Sequence, residues 1–166
     1  MDSSRSWWAS KARQFGRHLA ARVAPAERAG LASWLTPAQL ALFDGMPVAD
    51  QRHGLDVVAR LRDRGAGDPD LLLAGLFHDA GKGRSIRLWH RVAWSLGERV
   101  GGRAHRLAGR LPGGRDAMKR LRGHADRSAA LALAAGCGPR VASLIRGDAP
   151  AADAAATLLH AADEAG

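Results

Sequence analysis

The amino-acid sequence predicts an all-α fold, and three observations support this prediction. Apolar residues recur at helical spacing along most of the chain, as they do on the buried face of a helix. Residues that typically start and stop helices stand between these apolar stretches. No segment alternates strictly between apolar and polar residues, so no sheet is expected. With 166 residues and 46% hydrophobic content, the chain is long enough for one domain with a substantial core.

The first 48 residues predict two or three short helices that pack on the rest of the chain. In the first of these helices Trp8 and Phe15 share one face, with basic residues between them. The segment Thr36–Gln39 is a helix-start signal, because Thr caps, Pro suits the first position and Gln completes a capping box. We therefore divide the chain into an N-terminal helical extension, residues 1–48, and a helical domain, residues 49–166.

The helical domain is expected to contain six helices. Leu71 to Phe77 is apolar nearly all round, which is typical of a central, buried helix. Asp50 and Ser85 are the expected N-caps of their helices. The predicted helices cover residues 50–64, 69–77, 85–100, 125–135, 139–146 and 151–164.

Basic residues are concentrated in the middle of the chain. Residues 83–127 contain twelve Lys or Arg residues and three acidic residues, so this segment alone accounts for the net charge of +9. A basic block of this kind attracts anions such as nucleotides, nucleic acid, acidic lipids or an acidic partner. The alternative is a compositional bias, since the chain has 22 Arg, only 3 Lys and no Tyr.

The single cysteine, Cys137, excludes an internal disulfide and a zinc site built from cysteines. No apolar run approaches the roughly 20 residues that a membrane-spanning helix needs. The first 23 residues carry scattered basic residues, so a secretory signal is not expected. A cytoplasmic location is the corresponding expectation. Contact of the basic, Trp-bearing N-terminal helix with a membrane surface is a less favoured alternative.

The most informative feature is the pair His78-Asp79, at the end of the most apolar helix. Burying an imidazole and a carboxylate costs free energy unless they are paired or bind a metal. Together they suit one divalent ion such as Mn, Fe, Co, Ni, Zn or Mg. Gly81 permits close backbone approach at this helix end, and Lys82 brings a positive charge to the same place. A histidine that is hydrogen-bonded to a nearby carboxylate, without a metal, is the alternative.

Two further residues complete a recognisable order, since His53 precedes the pair by 25 residues and Asp163 follows it by 84. The motifs Arg-His-Gly, Leu-Phe-His-Asp-Ala-Gly-Lys and Leu-Leu-His-Ala-Ala-Asp resemble the HD family of metal-dependent phosphohydrolases. The resemblance extends from about Ala49 to Asp163. It implies a single-domain, all-α bundle of the HD-domain type, with one metal ion held by His53, His78, Asp79 and Asp163.

His124 occupies a further position that resembles the family, in Gly-His-Ala-Asp-Arg-Ser. In family members with extra histidines, this residue helps to bind a second metal or approaches the phosphate. Those members usually continue with one or two histidines after the next helix, where this chain has Gly147 and Asp148. Asp148 is either an oxygen ligand or the cap of the following helix. The sequence therefore predicts one metal ion and leaves a second one open.

The resemblance implies a metal-dependent phosphohydrolase that acts on a nucleotide or another small phosphate ester. In such an enzyme the ion polarises a phosphoryl oxygen and lowers the pKa of its bound water. The expected catalytic residues are Asp79, which helps orient or deprotonate the water, and Lys82 and His124, which neutralise the phosphate. Nearby arginines are candidates for further phosphate contacts, namely Arg52, Arg84 and Arg146.

Two other functions remain open from the sequence. The basic segment with Trp89 and Trp94 motivates a nucleic-acid-binding HD protein. The missing histidine near Gly147 motivates a non-catalytic regulatory module in which the metal is structural. His160, three residues before Asp163, is either a residue that orients a metal ligand or a histidine outside the site.

Overall fold

The computed structural model describes residues 20–83, 119, 122–150 and 152–165. In this part of the chain there are seven α-helices, one short 3-10 helix and no β-strand, which confirms the all-α prediction for these residues. None of the described helices has the length and apolar character that crossing a membrane requires. Several predicted features lie outside the described residues: the helix with Trp8 and Phe15, the helix over 85–100, and Arg84, Trp89 and Trp94.

Within residues 25–82 and within residues 124–164, the helices follow one another with short connections. Four of the seven described α-helices begin with a proline, whose fixed φ and missing N–H suit the first helical position. In chain order they are α1 Pro25–Leu31, α2 Pro37–Gly45, α3 Val48–Asp63, α4 Pro69–Phe77, the 3-10 helix Ala80–Lys82, α5 His124–Ala134, α6 Pro139–Arg146 and α7 Ala154–Glu164.

The capping box that the sequence predicts at the start of α2 is present. The Thr36 hydroxyl accepts a hydrogen bond from the Gln39 backbone N–H at 3.3 Å, and the Thr36 N–H donates to the Gln39 side chain at 3.0 Å. The expected cap of α3 is wrong, because that helix already begins at Val48 and Asp50 lies inside its first turn with 1% exposure. α7 begins at Ala154 and not at residue 151, because Asp153 accepts a hydrogen bond from the Ala155 N–H.

The hydrophobic core is built around α4, as its apolar sequence predicts. Leu71, Leu76 and Phe77 are at most 2% exposed, and α4 packs against α3, α5, α6 and α7. The described part of the N-terminal extension contributes to the same core through Leu31 and Phe43. This packing fixes the C-terminal end of α4, where His78 and Asp79 follow, relative to the neighbouring helices.

One arginine joins the N-terminal ends of three helices. Arg140, in the first turn of α6, donates from Nε and Nη2 to both carboxylate oxygens of Asp153, at 3.0 and 3.2 Å. Its Nη1 also donates to Asp68 at 2.6 Å. Asp68 and Asp153 are the N-caps of α4 and α7. These ion pairs hold the starts of the two helices whose opposite ends carry His78 and Asp163.

A glycine allows α3 and α4 to approach closely beside His53. A Cβ atom on Gly54 would lie 2.5 Å from the carbonyl oxygen of Leu76, closer than real Cβ contacts. This glycine sets the spacing between His53 on α3 and His78 at the end of α4.

Replacing Gly54 with alanine is expected to lower the free energy of unfolding by about 1–3 kcal/mol, because the new methyl group forces α3 away from α4. Urea unfolding followed by circular dichroism measures the change. Gly30→Ala is the matched control, since nothing lies within 4 Å of that Cβ position in α1. It should be neutral or stabilising by up to about 1 kcal/mol, as alanine favours helix. Equal stability of the two variants would contradict the close contact at Gly54.

Candidate metal centre

Three predicted metal ligands come together from three helices that are distant in the sequence. His53 lies on α3, His78 follows the last residue of α4, and Asp163 lies in the last turn of α7. Both Nε2 atoms approach the same carboxylate oxygen, Oδ1 of Asp163, at 2.8 Å from His53 and 3.4 Å from His78. One ligand atom from each residue lies within 4.8 Å of the other two, an arrangement that fits one cation.

The ring of His78 is oriented by its own helix. Its Nδ1–H donates to the carbonyl oxygen of Gly75 at 2.9 Å, which directs Nε2 toward His53 and Asp163. The Nε2 atom is fully buried and makes no hydrogen bond with any described residue, although Asp163 Oδ1 lies 3.4 Å away. A buried polar atom without a partner is costly in a folded protein and calls for an explanation. Coordination of a metal ion would supply one, with the ion taking the place of the proton on this nitrogen while the other ring N–H stays anchored.

The electrostatics of this group favour a cation. Burial alone lowers the pKa of His78, but the carboxylates of Asp79 and Asp163 outweigh it and raise that pKa to about 9. Burial alone raises the pKa of Asp163, but the imidazoles of His53 and His78 hold it well below its usual range. The two carboxylates therefore create a place in which positive charge is stabilised.

Asp79, the fourth predicted ligand, lies directly beside the group of three. Its side chain is 4% exposed, and its Oδ1 lies 3.7 Å from His78 Nε2 and 3.8 Å from His124 Nε2. Its Oδ2 lies 4.0 Å from His53 Nε2 and accepts a hydrogen bond from Lys82 Nζ at 2.5 Å. Burial raises the pKa of Asp79, but the charge of Lys82 and the neighbouring imidazoles lower it below the usual range. Asp79 is thus an ionised carboxylate that connects the predicted ligands with the predicted catalytic residues.

The short 3-10 helix that follows Asp79 is held against the start of α5. The Gly81 N–H donates to the buried hydroxyl of Ser128 at 2.8 Å. A Cβ atom on Gly81 would lie 2.6 Å from the Ser128 backbone nitrogen, so only glycine fits without a shift. This contact brings His124, the first residue of α5, to Asp79.

Sequence reasoning missed the residues that position the ligands. Ser128 holds the 3-10 helix, and the only signal for it is a hydroxyl one helical turn after His124. Arg60 donates to the carbonyl oxygen of Ala162 at 3.0 Å and so ties the end of α7 to α3. Arg60 lies seven residues after His53, which places both on one face of α3.

The other residues that were predicted to contact the phosphate or to support the metal site pair with different side chains. Arg52 is paired with Glu27 at 2.6 Å and with Asp56 at 2.9 Å. Arg146 donates to Asp148 at 2.8 Å, and Asp148 does not cap α7, because Asp153 has that position. His160 has a 73% exposed side chain next to Glu164, so it lies at the surface and does not orient Asp163.

The chain matches no protein-family model, no curated protein and no solved structure. Its function is therefore inferred from the sequence motifs and from the arrangement of the site. The residues that carry this inference are His53, His78, Asp79, His124 and Asp163.

Proposed function

We propose that the protein is a metal-dependent phosphohydrolase that acts on a nucleotide or another small phosphate ester. The observation that carries this proposal is the buried Nε2 of His78, which makes no hydrogen bond within the described part of the chain and faces His53 and Asp163. Two imidazoles and carboxylate oxygens are a donor set that suits first-row divalent ions. The motifs around these residues, which resemble the HD family, support the same function.

The proposed ligands of one divalent ion are His53, His78, Asp163 and Asp79. When bound, the ion supplies Lewis-acid polarisation of a phosphoryl oxygen and lowers the pKa of a water. The first three residues have ligand atoms within 4.8 Å of one another, and the Asp79 oxygens face both histidines. No described neighbour has to move away for His78 Nε2 to act as a ligand, since this nitrogen makes no hydrogen bond.

The proposed catalytic residues surround Asp79. The ionised Asp79 carboxylate accepts a hydrogen bond from the attacking water and orients it. The side chains of Lys82 and His124 are 20% and 32% exposed, so both reach from Asp79 toward solvent. There they donate hydrogen bonds to the phosphate and balance its negative charge. Small phosphate esters are favoured because the positive groups of the described site, Lys82 and His124, both lie beside a single carboxylate, that of Asp79.

Metal analysis of the purified chain, followed by a phosphate-release assay with the metal found, tests this function. We expect about one divalent ion per chain and release of phosphate from at least one nucleotide or small ester. Protein stripped with a chelator is the control, and its activity should return when the metal is added. Tight metal binding without turnover of any phosphate ester would instead support a non-catalytic module with a structural metal.

A further inference from the structure

Lys82 and Asp79 form an ion pair in the interior of the candidate site. The distance between Lys82 Nζ and Asp79 Oδ2 is 2.5 Å. The Asp79 side chain is 4% exposed, and a carboxylate this deeply buried requires a positive partner. Lys82 provides that positive charge from within the chain.

The backbone keeps Lys82 close to Asp79. The Lys82 N–H donates to the Asp79 carbonyl oxygen at 3.1 Å, and Gly81 between them is fixed by Ser128. The Lys82 side chain is 20% exposed, so its ammonium group also has a path to solvent. The ammonium group of Lys82 can therefore stay paired with Asp79, or turn away from it toward solvent, without a change in the fold.

A metal ion at the candidate centre would be a second cation beside the same carboxylate. The oxygen that accepts from Lys82 also lies 4.0 Å from His53 Nε2, on the side of the proposed ligands. Positive charges that share one carboxylate repel each other, and the repulsion is larger in a buried site than in water. The ammonium group and the metal ion therefore oppose each other at Asp79.

We propose that Lys82 is a built-in counter-cation of Asp79 that competes with the metal ion for this carboxylate and sets the metal affinity of the site. This inference rests on the proposed metal centre. It assigns to Lys82 a second property besides contact with the phosphate. Lys82 thus lowers the metal affinity of the site. The same side chain neutralises Asp79 and places a positive charge where the phosphate would bind.

The test compares metal affinity in full-length protein stripped of metal. Lys82→Met keeps the length of the side chain and removes its charge, whereas Lys82→Arg keeps the charge. Calorimetric titration with Mn²⁺ should give a Kd at least about tenfold lower for Lys82→Met than for the unchanged chain. Lys82→Arg should stay within about threefold. Arg127→Met, which removes a charge that contacts the Gly81 carbonyl and not Asp79, is the matched control and should also stay within about threefold.

Thermal unfolding provides a second measurement. In chelator, Lys82→Met should unfold at a lower temperature than the unchanged chain, because Asp79 has lost its ammonium partner. Saturating Mn²⁺ should raise the unfolding temperature of Lys82→Met by more than that of the unchanged chain, since stabilisation by a ligand grows with its affinity. If Lys82→Met does not fold without metal, Lys82→Gln replaces it, because the amide still donates a hydrogen bond to Asp79.

Equal or weaker Mn²⁺ binding by the uncharged variants would overturn the inference, since it would make Lys82 a residue that only positions Asp79. A decrease in Kd of the same size in Arg127→Met would also overturn it, because the effect would then belong to the general charge of the region. Absence of Mn²⁺ binding to the unchanged chain, with no other divalent ion found in it, would overturn the proposed metal centre itself. These outcomes separate the two proposals.

Discussion

Replacing His78 with alanine is expected to reduce bound metal from about one ion per chain to less than about one tenth of that value. The Nε2 of His78 lies close to both proposed carboxylate ligands, at 3.4 Å from Asp163 Oδ1 and 3.7 Å from Asp79 Oδ1. Without His78, the proposed ligands are the carboxylates of Asp79 and Asp163 and a single imidazole, that of His53. Metal-dependent phosphate release should be lost with the metal.

The matched control for this variant is His160→Ala, which removes a histidine from the same protein at a 73% exposed position. It should keep full metal occupancy. Elemental analysis after dialysis gives the stoichiometry, and circular dichroism in chelator establishes that both variants are folded. The His78→Ala variant also loses the hydrogen bond from His78 Nδ1 to the Gly75 carbonyl, so its folded state is established before its metal occupancy is compared. Full occupancy in a folded His78→Ala variant would remove His78 from the site.

The helices could be predicted well where their signals are local. Helix α2 begins at its predicted capping box, and α6 covers the predicted residues Pro139–Arg146. A capping side chain satisfies N–H groups two or three residues away, so the sequence contains all the partners. The start of α3 was predicted wrongly because Asp50 resembles a local cap, whereas the helix begins at Val48 and Asp50 is buried in its first turn. The burial of a carboxylate inside a helix leaves no local sequence pattern.

The ligand set could be proposed from the sequence, but its detailed geometry could not. His53 and Asp163 are 110 residues apart, and only the resemblance to a known family suggested that they meet. The contact between Lys82 and Asp79 depends on the 3-10 helix that Gly81 and Ser128 hold in place. This packing decides which side chain the Asp79 carboxylate faces. Residue type and spacing alone could therefore not predict the contact.

The second large effect is expected for His124→Ala, which should lower turnover by about 100-fold and leave the tightly bound ion in place. His124 is the first residue of α5, and its Nε2 lies 3.8 Å from Asp79 Oδ1. Among the described residues, the group whose ligand atoms converge contains His53, His78 and Asp163, and His124 is not part of it. We expect His124, which lies beside Asp79 on the solvent-exposed side of the site, to contact the phosphate or the attacking water.

The position of Asp148 gives no support for a second metal ion. This residue was the sequence candidate for a further oxygen ligand, but it is 56% exposed and paired with Arg146. With ligands from the described residues alone, a second ion at His124 would be mostly hydrated and weakly held. Metal stoichiometry and kcat, measured at saturating metal for the unchanged chain, His124→Ala and His160→Ala, decide between these arrangements. Two tight ions that fall to one in His124→Ala would establish a two-metal centre, and unchanged kcat would limit His124 to its place at the start of α5.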